Sequence, residues 1–548
     1  MENWGLSPFS FSDLFPVMFG GAGRSYNRLD PEGQVMAIHR RDFLRGIVAA
    51  GGAFAFRGLV PSTAFAAKRF PAGVWGGNVP TWCHDLVRDG GRIPRVTPSR
   101  SVEFLILGGG LAGLSAAYQL RDSSMLLLEH LDRVGGHCVR DRWNDIWYSG
   151  ASAYFVEPEP PLDELYAELA FPLTKIAEPA DSAILGWNSV VDVFGAGLDE
   201  LPYPDAVRRD FARARKDFAE ILESDDCPVM PLADTTEESK KYDTLTFADW
   251  MLKEKKYHPA VKAYVDLYCR SAFGAPSSES LSAFAGLNFY VSEFGDRYTF
   301  PGGNALAAEL LRDAIHAAGA GRILPATTAV QVEDKGSKVL VTAIDANGEA
   351  MAIEAGAVLV ACPKYVAKHI VKGLPQDQVA AMDGLAYGSY VVANVLCTSP
   401  VTDGSYDTWT DVAPFTDVLL ADWITRGPGS EATTKQQVLT VYYPTGYEID
   451  SLLDDAAYDR YRDTVVEHLD YLYPGAEAKI EDVKLYRWGH ALCHARPGWY
   501  TRTSPIAARP FGRVLFAHSD NQGLPAFEAA LVEGMSAAAQ ARELVAAV

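Results

Sequence analysis

Residues 101–129 read SVEFLILGGGLAGLSAAYQLRDSSMLLLE, and this stretch decides the fold. An apolar run of strand length, 102–107, leads into Gly-Gly-Gly-Leu-Ala-Gly at 108–113, which matches G-x-G-x-x-G. A helix of small residues is predicted next, and a second apolar run then ends at Glu129. Strand, glycine turn, helix, second strand and acid in this order predict a β-α-β unit that binds a dinucleotide.

The glycine turn has a predicted task at each position. Gly108 permits the tight turn, and Gly110 lets a pyrophosphate approach the backbone. Gly113 lets the helix pack closely on the strand. Leu111 and Ala112 belong to the same turn and are predicted to contact the cofactor, and the helix predicted at 114–120 faces the phosphates with its N-terminus.

The acid after the second strand continues the site toward the flavin end of FAD. Glu129 is predicted to accept hydrogen bonds from the adenosine ribose hydroxyls. The pattern E-x-x-x-R-x-G-G follows, with Arg133, Gly135 and Gly136, and then comes His137. Two adjacent glycines let the backbone lie close to a flat ring or a phosphate. This extended motif resembles that of the flavin-containing amine oxidoreductase family, in which an arginine usually stands where this chain has His137.

The resemblance covers about residues 102–548 and implies the fold. We expect an α/β protein with a Rossmann-type FAD-binding domain of the amine-oxidase kind and an interleaved α+β substrate domain. Residues 1–66 are expected to be an export signal with its prefix, and 67–100 a lead-in. The FAD-binding domain is expected at 101–155, 297–370 and 506–548, and the substrate domain at 156–296 and 371–505.

The far C-terminus is similar to the second half of the family's FAD site. In the family an apolar strand ends beside the ribityl chain, and the next helix points its N-terminus at the N1 edge of the flavin. The resemblance places Ser519 and Asp520 near the ribityl chain and Ala529 at the ring edge. It places the backbone of Val330 against the adenine. Since this C-terminal motif contains no cysteine, we expect FAD to be bound non-covalently.

Residues 388–396, GSYVVANVL, resemble the strand that carries a lysine beside flavin N5 in many amine oxidases. By the family spacing this lysine falls at Val392 and is therefore absent. Asn394 lies two positions further along the same strand face, which makes it a candidate catalytic contact. This strand, the Gly-Gly-His137 motif and Arg-Trp-Gly-His at 487–490 resemble the spermidine-dehydrogenase-like branch. Cys138 and Ala491 depart from that branch, which has alanine and Gly-Tyr at these points.

The resemblance implies hydride transfer from the α-carbon of a neutral amine to flavin N5. Trp488, Tyr390 and Phe527 are candidates for the walls of an aromatic pocket that holds the amine, and core packing is the alternative for each ring. His490 and His137 are candidate polar contacts or bases, and a buried structural histidine is the alternative. A polyamine also needs a carboxylate for its remote ammonium group, and no single acid can be chosen for that role from the sequence.

Composition limits the partners. The formal charge of −21 attracts cations and repels nucleic acid, so we expect a small-molecule amine substrate and no nucleic-acid partner. Beyond the N-terminal region no apolar run is long enough to span a bilayer, so an integral membrane protein is not expected. The seven cysteines include no C-x-x-C pair, and no metal site is predicted. A non-covalent haem stays open.

The N-terminus resembles a twin-arginine export signal. Residues 40–45 read RRDFLR, a mildly apolar stretch follows at 46–56, and Ala-Phe-Ala at 64–66 offers a cleavage site. Met36 would give a compact signal, so we expect translation to begin there rather than at Met1. The mature protein is then expected to be periplasmic or secreted.

Three functions remain open from the sequence. The first is an exported FAD-dependent amine dehydrogenase or oxidase; absence of the N5 lysine favours a dehydrogenase that passes electrons to a carrier protein or a quinone. The second is an FAD-dependent oxidoreductase or desaturase that acts on a non-amine donor. The third is a non-catalytic flavoprotein subunit, which departures such as Ala491 keep open.

Overall fold

The computed structural model describes residues 70–78, 86–88, 91–423, 435–447 and 449–547, and two strands nearer the N-terminus. Residues 1–68 and residues 69–548 form separate compact units. In the first unit β1 (Ser25–Leu29) pairs antiparallel with β2 (Val35–His39). The twin-arginine motif and the Ala-Phe-Ala site lie outside the described residues.

The second unit is built from strands and helices that alternate along the chain. Its strands are β3 (Gly76–Gly77), β4 (Pro98–Leu107), β5 (Met125–Leu128), β6 (Arg140–Trp143), β7 (Ile146–Ser149), β8 (Tyr154–Val156), β9 (Thr174–Lys175), β10 (Asp181–Leu185), β11 (Asn188–Val191), β12 (Arg297–Thr299), β13 (Ile323–Leu324), β14 (Thr328–Asp334), β15 (Val339–Ile344), β16 (Ala350–Val360), β17 (Ala386–Cys397), β18 (Asp407–Thr410), β19 (Asp417–Leu420), β20 (Gln437–Gly446), β21 (Ile480–His494) and β22 (Val514–Phe516). Its α-helices are α1 (Leu111–Gln119), α2 (Leu162–Glu168), α3 (Asp205–Leu222), α4 (Glu237–Lys240), α5 (Phe247–Asp249), α6 (Pro259–Phe273), α7 (Ala283–Ser292), α8 (Ala305–Ala318), α9 (Lys364–Ile370), α10 (Gln376–Met382), α11 (Ile449–Leu453), α12 (Ala457–Leu472), α13 (Ser504–Ala507) and α14 (Phe527–Ala546).

The nucleotide sheet has the strand order β13-β5-β4-β16-β15-β14, with β22 beside β16. Strands β13, β5, β4, β16 and β22 pair in parallel, whereas β14 and β15 are antiparallel. The inner ends of β4 and β5 are buried on both faces, which explains why their sequences are continuous apolar runs. The predicted β-α-β unit is thus β4-α1-β5, and its carboxyl ends meet at one edge of the sheet.

The substrate sheet has the strand order β11-β10-β18-β19-β20-β17-β21-β3. Its centre, from β18 to β21, is antiparallel. The lead-in contributes β3, which pairs with β21 at one end, and the segment 156–296 contributes β10 and β11 at the other. The same segment also contains the helices α3, α6 and α7. Its short strands show no clear alternation in their sequence.

Gly534 in α14 shows how tightly this C-terminal helix packs against α1, the first helix of the nucleotide domain. A Cβ added at Gly534 would lie 2.2 Å from the carbonyl oxygen of Ala112 and 2.9 Å from the Cβ of Ser115. Helices α1 and α14 therefore touch through their backbones. Among the residues described, no helix is long and apolar enough to cross a membrane.

The substitution Gly534→Ala tests this contact. Alanine favours a helix interior by about 1 kcal/mol over glycine, but the clash with the Ala112 carbonyl forces α1 and α14 apart. We expect a net loss of roughly 1–3 kcal/mol in the free energy of unfolding, measured by denaturant titration of the FAD-loaded protein. Ser536→Ala, on the exposed side of the same helix, serves as the control. A Gly534→Ala variant as stable as wild type would contradict the close packing.

Candidate functional site

Two glycine turns face each other at the carboxyl ends of β4 and β5. A Cβ on Gly136 would lie 3.0 Å from the Cα of Gly110, and the amide of Gly135 donates to the carbonyl of Gly109 at 2.7 Å. Because neither turn carries side chains, backbone atoms line the cleft from both sides. Such a cradle suits a pyrophosphate, which binds to backbone amides.

The first turn of α1 provides the anion-binding end of this cradle. Gly110 caps the helix, no side chain among the described residues caps it, and no acidic residue lies in its first turn. The first amides, including those of Leu111 and Ala112, are thus left to an external acceptor. A Cβ on Gly113 would lie only 1.8 Å from the carbonyl oxygen of Gly108, so this position requires glycine.

The acid at the end of β5 holds the loop around the cradle. Glu129 is buried, and its carboxylate accepts from the amides of Gly109 at 2.6 Å and Leu131 at 2.7 Å. The Arg133 guanidinium donates to the carbonyl of Gly136 at 3.1 Å. Each carboxylate oxygen retains a second lone pair, so Glu129 is placed to accept from ribose hydroxyls as well.

Val330 stands at an irregularity in the β14-β15 pairing, where the register shifts between Ala329 and Gln331. A bulge residue is left unpaired by the neighbouring strand. This geometry supports the predicted backbone contact between Val330 and the adenine.

Asp520, predicted to lie near the ribityl chain, is held by three protein groups. Its carboxylate accepts from the amide of Lys364 at 2.8 Å and the hydroxyl of Tyr387 at 2.6 Å, and the His518 ring is 3.2 Å away. Burial alone raises the pKa of Asp520, but His518 and these hydrogen bonds outweigh it and hold the pKa well below its usual range. Asp520 is therefore a fixed negative charge. Ser519 precedes it on the same turn.

The N-terminus of α14 contributes two of the predicted residues. Ala529 lies in its first turn and is buried. Phe527 opens the helix and packs at 5.6 Å from the Phe155 ring and 6.2 Å from the Tyr166 ring, inside the core of the nucleotide domain. The structure thus separates Phe527 from Trp488, which belongs to another cluster, and places it in packing rather than in a shared aromatic pocket.

Three side chains of the substrate sheet bind the backbone at the end of β7 and just beyond it. The Asn394 amide donates to the carbonyl of Ser149 at 2.8 Å, the Trp488 indole to that of Gly150 at 2.9 Å, and the Tyr442 hydroxyl to that of residue 151 at 2.7 Å. Consecutive carbonyls of the nucleotide domain are therefore satisfied by the substrate sheet. This pattern brings the polar ends of Trp488 and Asn394 to neighbouring carbonyls.

These contacts assign positioning roles to two candidate catalytic residues. Asn394 has no exposed surface, and its carbonyl oxygen also accepts from Thr440 at 2.7 Å. Tyr390 is buried, with its hydroxyl 3.1 Å from Ser271 Oγ. Both side chains are engaged by the protein at their polar ends, so we assign them to positioning rather than to contact with the reacting atoms.

Two histidines lie in a cluster at the open side of the cradle. The His137 ring lies 4.7 Å from the Trp488 ring, and the His490 ring stacks at 4.2 Å on Tyr365. One side of the His137 ring stays exposed, so a ligand can reach it. Burial, and after it the charges of His518 and Arg133, lowers the pKa of His137 to about 4. His137 is therefore a neutral ring near pH 7.

The sequence reasoning missed several residues of this cluster, including Tyr365 and Tyr387, whose rings are 4.9 Å apart. Tyr365 follows the carboxyl end of β16, where ligands of open α/β sheets bind. That rule is the signal that would have found it.

Lys364, beside Tyr365, is buried, and burial lowers its pKa to about 8. In the described residues no group of three or more metal-binding side chains is placed to hold a metal ion.

Comparison with known proteins agrees with this geometry. A family model described as flavin containing amine oxidoreductase matches residues 111–542. The oxidoreductase PigB of Serratia sp. (strain ATCC 39006) is 27% identical over 277 residues, which are 47% of this chain and 40% of that protein. A probable flavin-containing monoamine oxidase A of Dictyostelium discoideum is 29% identical over 186 residues, 32% of this chain and 38% of that protein. The matches span about two fifths of each curated relative.

Two solved structures show the same fold. Cyclohexylamine oxidase from Brevibacterium oxydans IH-35A aligns with a TM-score of 0.63 and 19% identity over 81% of this chain and 99% of its own. Wild-type putrescine oxidase bound to putrescine aligns with a TM-score of 0.63 and 18% identity over 80% and 98%. The predicted fold class is confirmed, and so is the predicted cofactor, FAD, for which the glycine cradle is suited.

The substitution Glu129→Gln tests the predicted ribose contact. It removes the negative charge and turns one acceptor into a donor, while the side chain keeps its size. Hydrogen bonds to a charged group are worth about 1.5–3 kcal/mol, so we expect FAD affinity to fall by roughly ten- to a hundredfold. Fluorescence titration of the apoprotein with FAD measures this, with Asp132→Asn, exposed on the same loop, as the control. Unchanged affinity would remove Glu129 from the FAD site.

The substitution Trp488→Phe tests the link between the substrate sheet and the Gly150 carbonyl. Phenylalanine keeps an aromatic ring but leaves this buried carbonyl without the indole donor. An unsatisfied buried polar group costs about 1–3 kcal/mol, so we expect a lower melting temperature and weaker FAD retention. Trp187→Phe, at an exposed tryptophan, controls for loss of an indole alone. Equal melting temperatures for Trp488→Phe and wild type would show that the hydrogen bond does not hold this segment.

Proposed function

Because the chain belongs to the flavin-containing amine oxidoreductase family, we propose that it is an enzyme that oxidises the C–N bond of an amine. Bound FAD supplies the hydride acceptor at its N5 atom. The observation that carries the proposal is the apposition of the glycine cradle and the substrate sheet, which encloses His137 and Trp488 between the two domains. The imine product is released to water for hydrolysis.

The residues around the cradle suit a neutral amine. His137 is uncharged near pH 7 because its pKa is lowered to about 4, so it does not repel an amine or its protonated form. Trp488 and Tyr390 lie opposite each other on neighbouring strands. Hydrogen bonds from the substrate sheet to the carbonyls of residues 149–151 hold this part of the site in place. Trp488 and Tyr390 therefore form a rigid wall that limits the access of water.

We further propose a dehydrogenase rather than an oxidase. In many amine oxidases a lysine holds a water at flavin N5, and the resemblance places Val392 at this position. Val392 is 2% exposed and lies among apolar neighbours such as Leu396 and Trp488. No ammonium group is therefore supplied by this strand position to assist oxygen, which favours transfer of electrons to a carrier protein or a quinone.

The same proposal places the chain in a spermidine-dehydrogenase-like branch of the family. The support is that two of the motifs that resemble this branch meet in space, because the His137 ring contacts the Trp488 ring. His490, from the same motif as Trp488, contributes electrostatically to His137. The departures at Cys138 and Ala491 flank these residues in the sequence and leave the ring contact intact.

We also propose export by the twin-arginine pathway to the periplasm or the exterior. The support is the RRDFLR motif at 40–45 with Ala-Phe-Ala at 64–66. This pathway carries folded proteins, which suits a chain whose two domains enclose FAD before it leaves the cytoplasm.

The first test is anaerobic reduction of the FAD-loaded protein by polyamines, monoamines and amino acids. We expect at least one amine to bleach the flavin absorbance, with slow reoxidation in air and fast reoxidation by a quinone. Fast reoxidation in air with release of peroxide would make the protein an oxidase despite Val392. If no amine bleaches the bound flavin, amine oxidation is wrong, and a non-amine donor or a non-catalytic flavoprotein subunit takes its place.

A further inference from the structure

Lys364 is a buried cation at the point where α9, α13 and the turn 519–521 meet. It opens α9, close behind the carboxyl end of β16, and it is 1% exposed. Its Nζ atom donates to the side-chain oxygen of Asn521 at 2.5 Å and to the carbonyl of Ala507 at 3.4 Å. Its backbone amide donates to Asp520 at 2.8 Å. Lys364 therefore lies against the turn that carries the predicted ribityl contacts.

Both acceptors that Lys364 Nζ finds among the described residues are neutral oxygens. A buried ammonium group loses its hydration, and without an ion pair to replace it the neutral amine is favoured. Burial lowers the pKa of Lys364 to about 8 for this reason. The amine is thus mostly charged near pH 7 and mostly neutral at about pH 9, and a change of charge nearby can decide its protonation.

Ionisable groups face Lys364 from several elements, and most of them keep one charge state in the range where Lys364 titrates. These groups are Cys362, Tyr387, Cys493, His518, Asp520 and Glu533. Burial raises the pKa of Cys362 to about 12, and it raises the pKa of Cys493 and that of Tyr387 well above their usual ranges, so all three stay neutral. Asp520 is the fixed negative charge described above.

Glu533, on α14, links this region to a cavity of about 260 Å³. Its carboxylate accepts from the Asn521 amide group at 2.6 Å and from that of Gln522 at 3.0 Å. Burial raises the pKa of Glu533, and these hydrogen bonds oppose the rise. Asn521 and Glu533 line the cavity together with Gln540, which is exposed. A polar cavity of this size admits water, so solvent reaches the side chain that binds Lys364 Nζ.

The turn 519–521 connects Lys364 with the FAD site. The resemblance to the family places Asp520 near the ribityl chain and Ala529 at the ring edge. Lys364 binds two consecutive residues of this turn, Asp520 and Asn521. Charges in a buried region interact over longer distances than charges in water, because little solvent screens them. The charge of Lys364 is therefore placed to act on the charge of the flavin ring.

We propose that Lys364 compensates the charge of the reduced flavin: its ammonium group stabilises the negative ring, and where the amine is neutral it takes a proton from solvent on reduction. A hydride brings two electrons and one proton, so the reduced ring carries one negative charge. In the balanced step, oxidised FAD and the neutral Lys364 amine take up two electrons and two protons and become singly negative reduced FAD and an ammonium group. Any two-electron donor serves, so this inference goes beyond the proposed oxidation of an amine.

The coupling between Lys364 and the flavin is reciprocal. A tenfold rise in the proton affinity of Lys364 on reduction means that its charged form favours reduced FAD tenfold more than its neutral form does. For a two-electron couple, this tenfold change is about 30 mV in the midpoint potential. The charge therefore raises the potential below the pKa of Lys364, and its effect fades where the amine is neutral in both states of the flavin.

The test measures the midpoint potential of bound FAD from about pH 6 to pH 10 by anaerobic reduction with dithionite in the presence of a reference dye. We expect Lys364→Met to lie at least about 30 mV below wild type at the acid end, and to approach wild type toward the alkaline end. Lys364→Arg carries a charge that does not titrate, so its potential should stay above that of Lys364→Met throughout. Lys372→Met, at an exposed lysine just after α9, is the matched control and should follow wild type.

A second readout counts protons instead of measuring a potential. At about pH 8.5 a tenfold rise in the proton affinity of Lys364 adds about half a proton to the uptake on reduction. An indicator dye in weak buffer measures this uptake with the same amount of dithionite for each protein. We expect wild type and Lys372→Met to take up this additional fraction, and both Lys364→Met and Lys364→Arg to lack it.

The dependence on pH separates this role from a structural one. A difference in potential between wild type and Lys364→Met that is the same at every pH, or no difference, would overturn the proposal. Additional proton uptake that persists in Lys364→Arg would belong to another group and would also overturn it. If Lys364→Met does not retain FAD, wild type and Lys364→Arg still decide, because equal pH dependences of their potentials would contradict a titrating Lys364.

The outcome does not depend on the identity of the substrate, because dithionite replaces the donor. If the potentials behave as expected and no amine reduces the flavin, amine oxidation is wrong and the role of Lys364 stands. If an amine reduces the flavin but the potentials of wild type and Lys364→Met run parallel, amine oxidation stands and the role of Lys364 is wrong.

Discussion

Three hydrogen bonds from the substrate sheet to consecutive carbonyls determine the geometry of the site. The carbonyls of residues 149–151 are buried where the two domains meet, and a buried carbonyl must find a donor. Asn394, Trp488 and Tyr442 come from different strands and supply one donor each. A shift of the sheet along this segment would leave at least one of these carbonyls without its donor. The three hydrogen bonds therefore fix the position of Val392 against the nucleotide domain.

The parts of the fold that depend on local sequence could be predicted from it. The β4-α1-β5 unit spans 98–128 and is centred on the stretch 101–129, where apolar runs, glycine positions and the final acid each restrict the backbone. Asn394 shows where this reasoning ends. Alternation predicted which strand face it occupies, but its partners, Ser149 and Thr440, are brought in by other segments, and they turned a candidate catalytic residue into a positioning one.

The pairing of Asp181 with Asp407 could not be predicted for the same reason. Asp181 and Asp407 are neighbours only because β10 inserts beside β18 in parallel, and no periodicity in the segment 156–296 indicates this pairing. The net charge of −21 had pointed to cationic partners in general terms. Most of that charge lies on solvated side chains, where salt screens it.

The lead-in limits how far the chain can be shortened from its N-terminal side. Strand β3 pairs with β21, the strand that carries Trp488, Asn78 exchanges hydrogen bonds with the backbone of Arg487 and Gly489, and Trp75 packs against Tyr458. These residues cover what would otherwise be the exposed edge of the substrate sheet, and an uncovered edge invites pairing with other chains. Loss of residues 70–78 by proteolysis or truncation would therefore leave the edge of β21 unpaired and open to pairing with another chain.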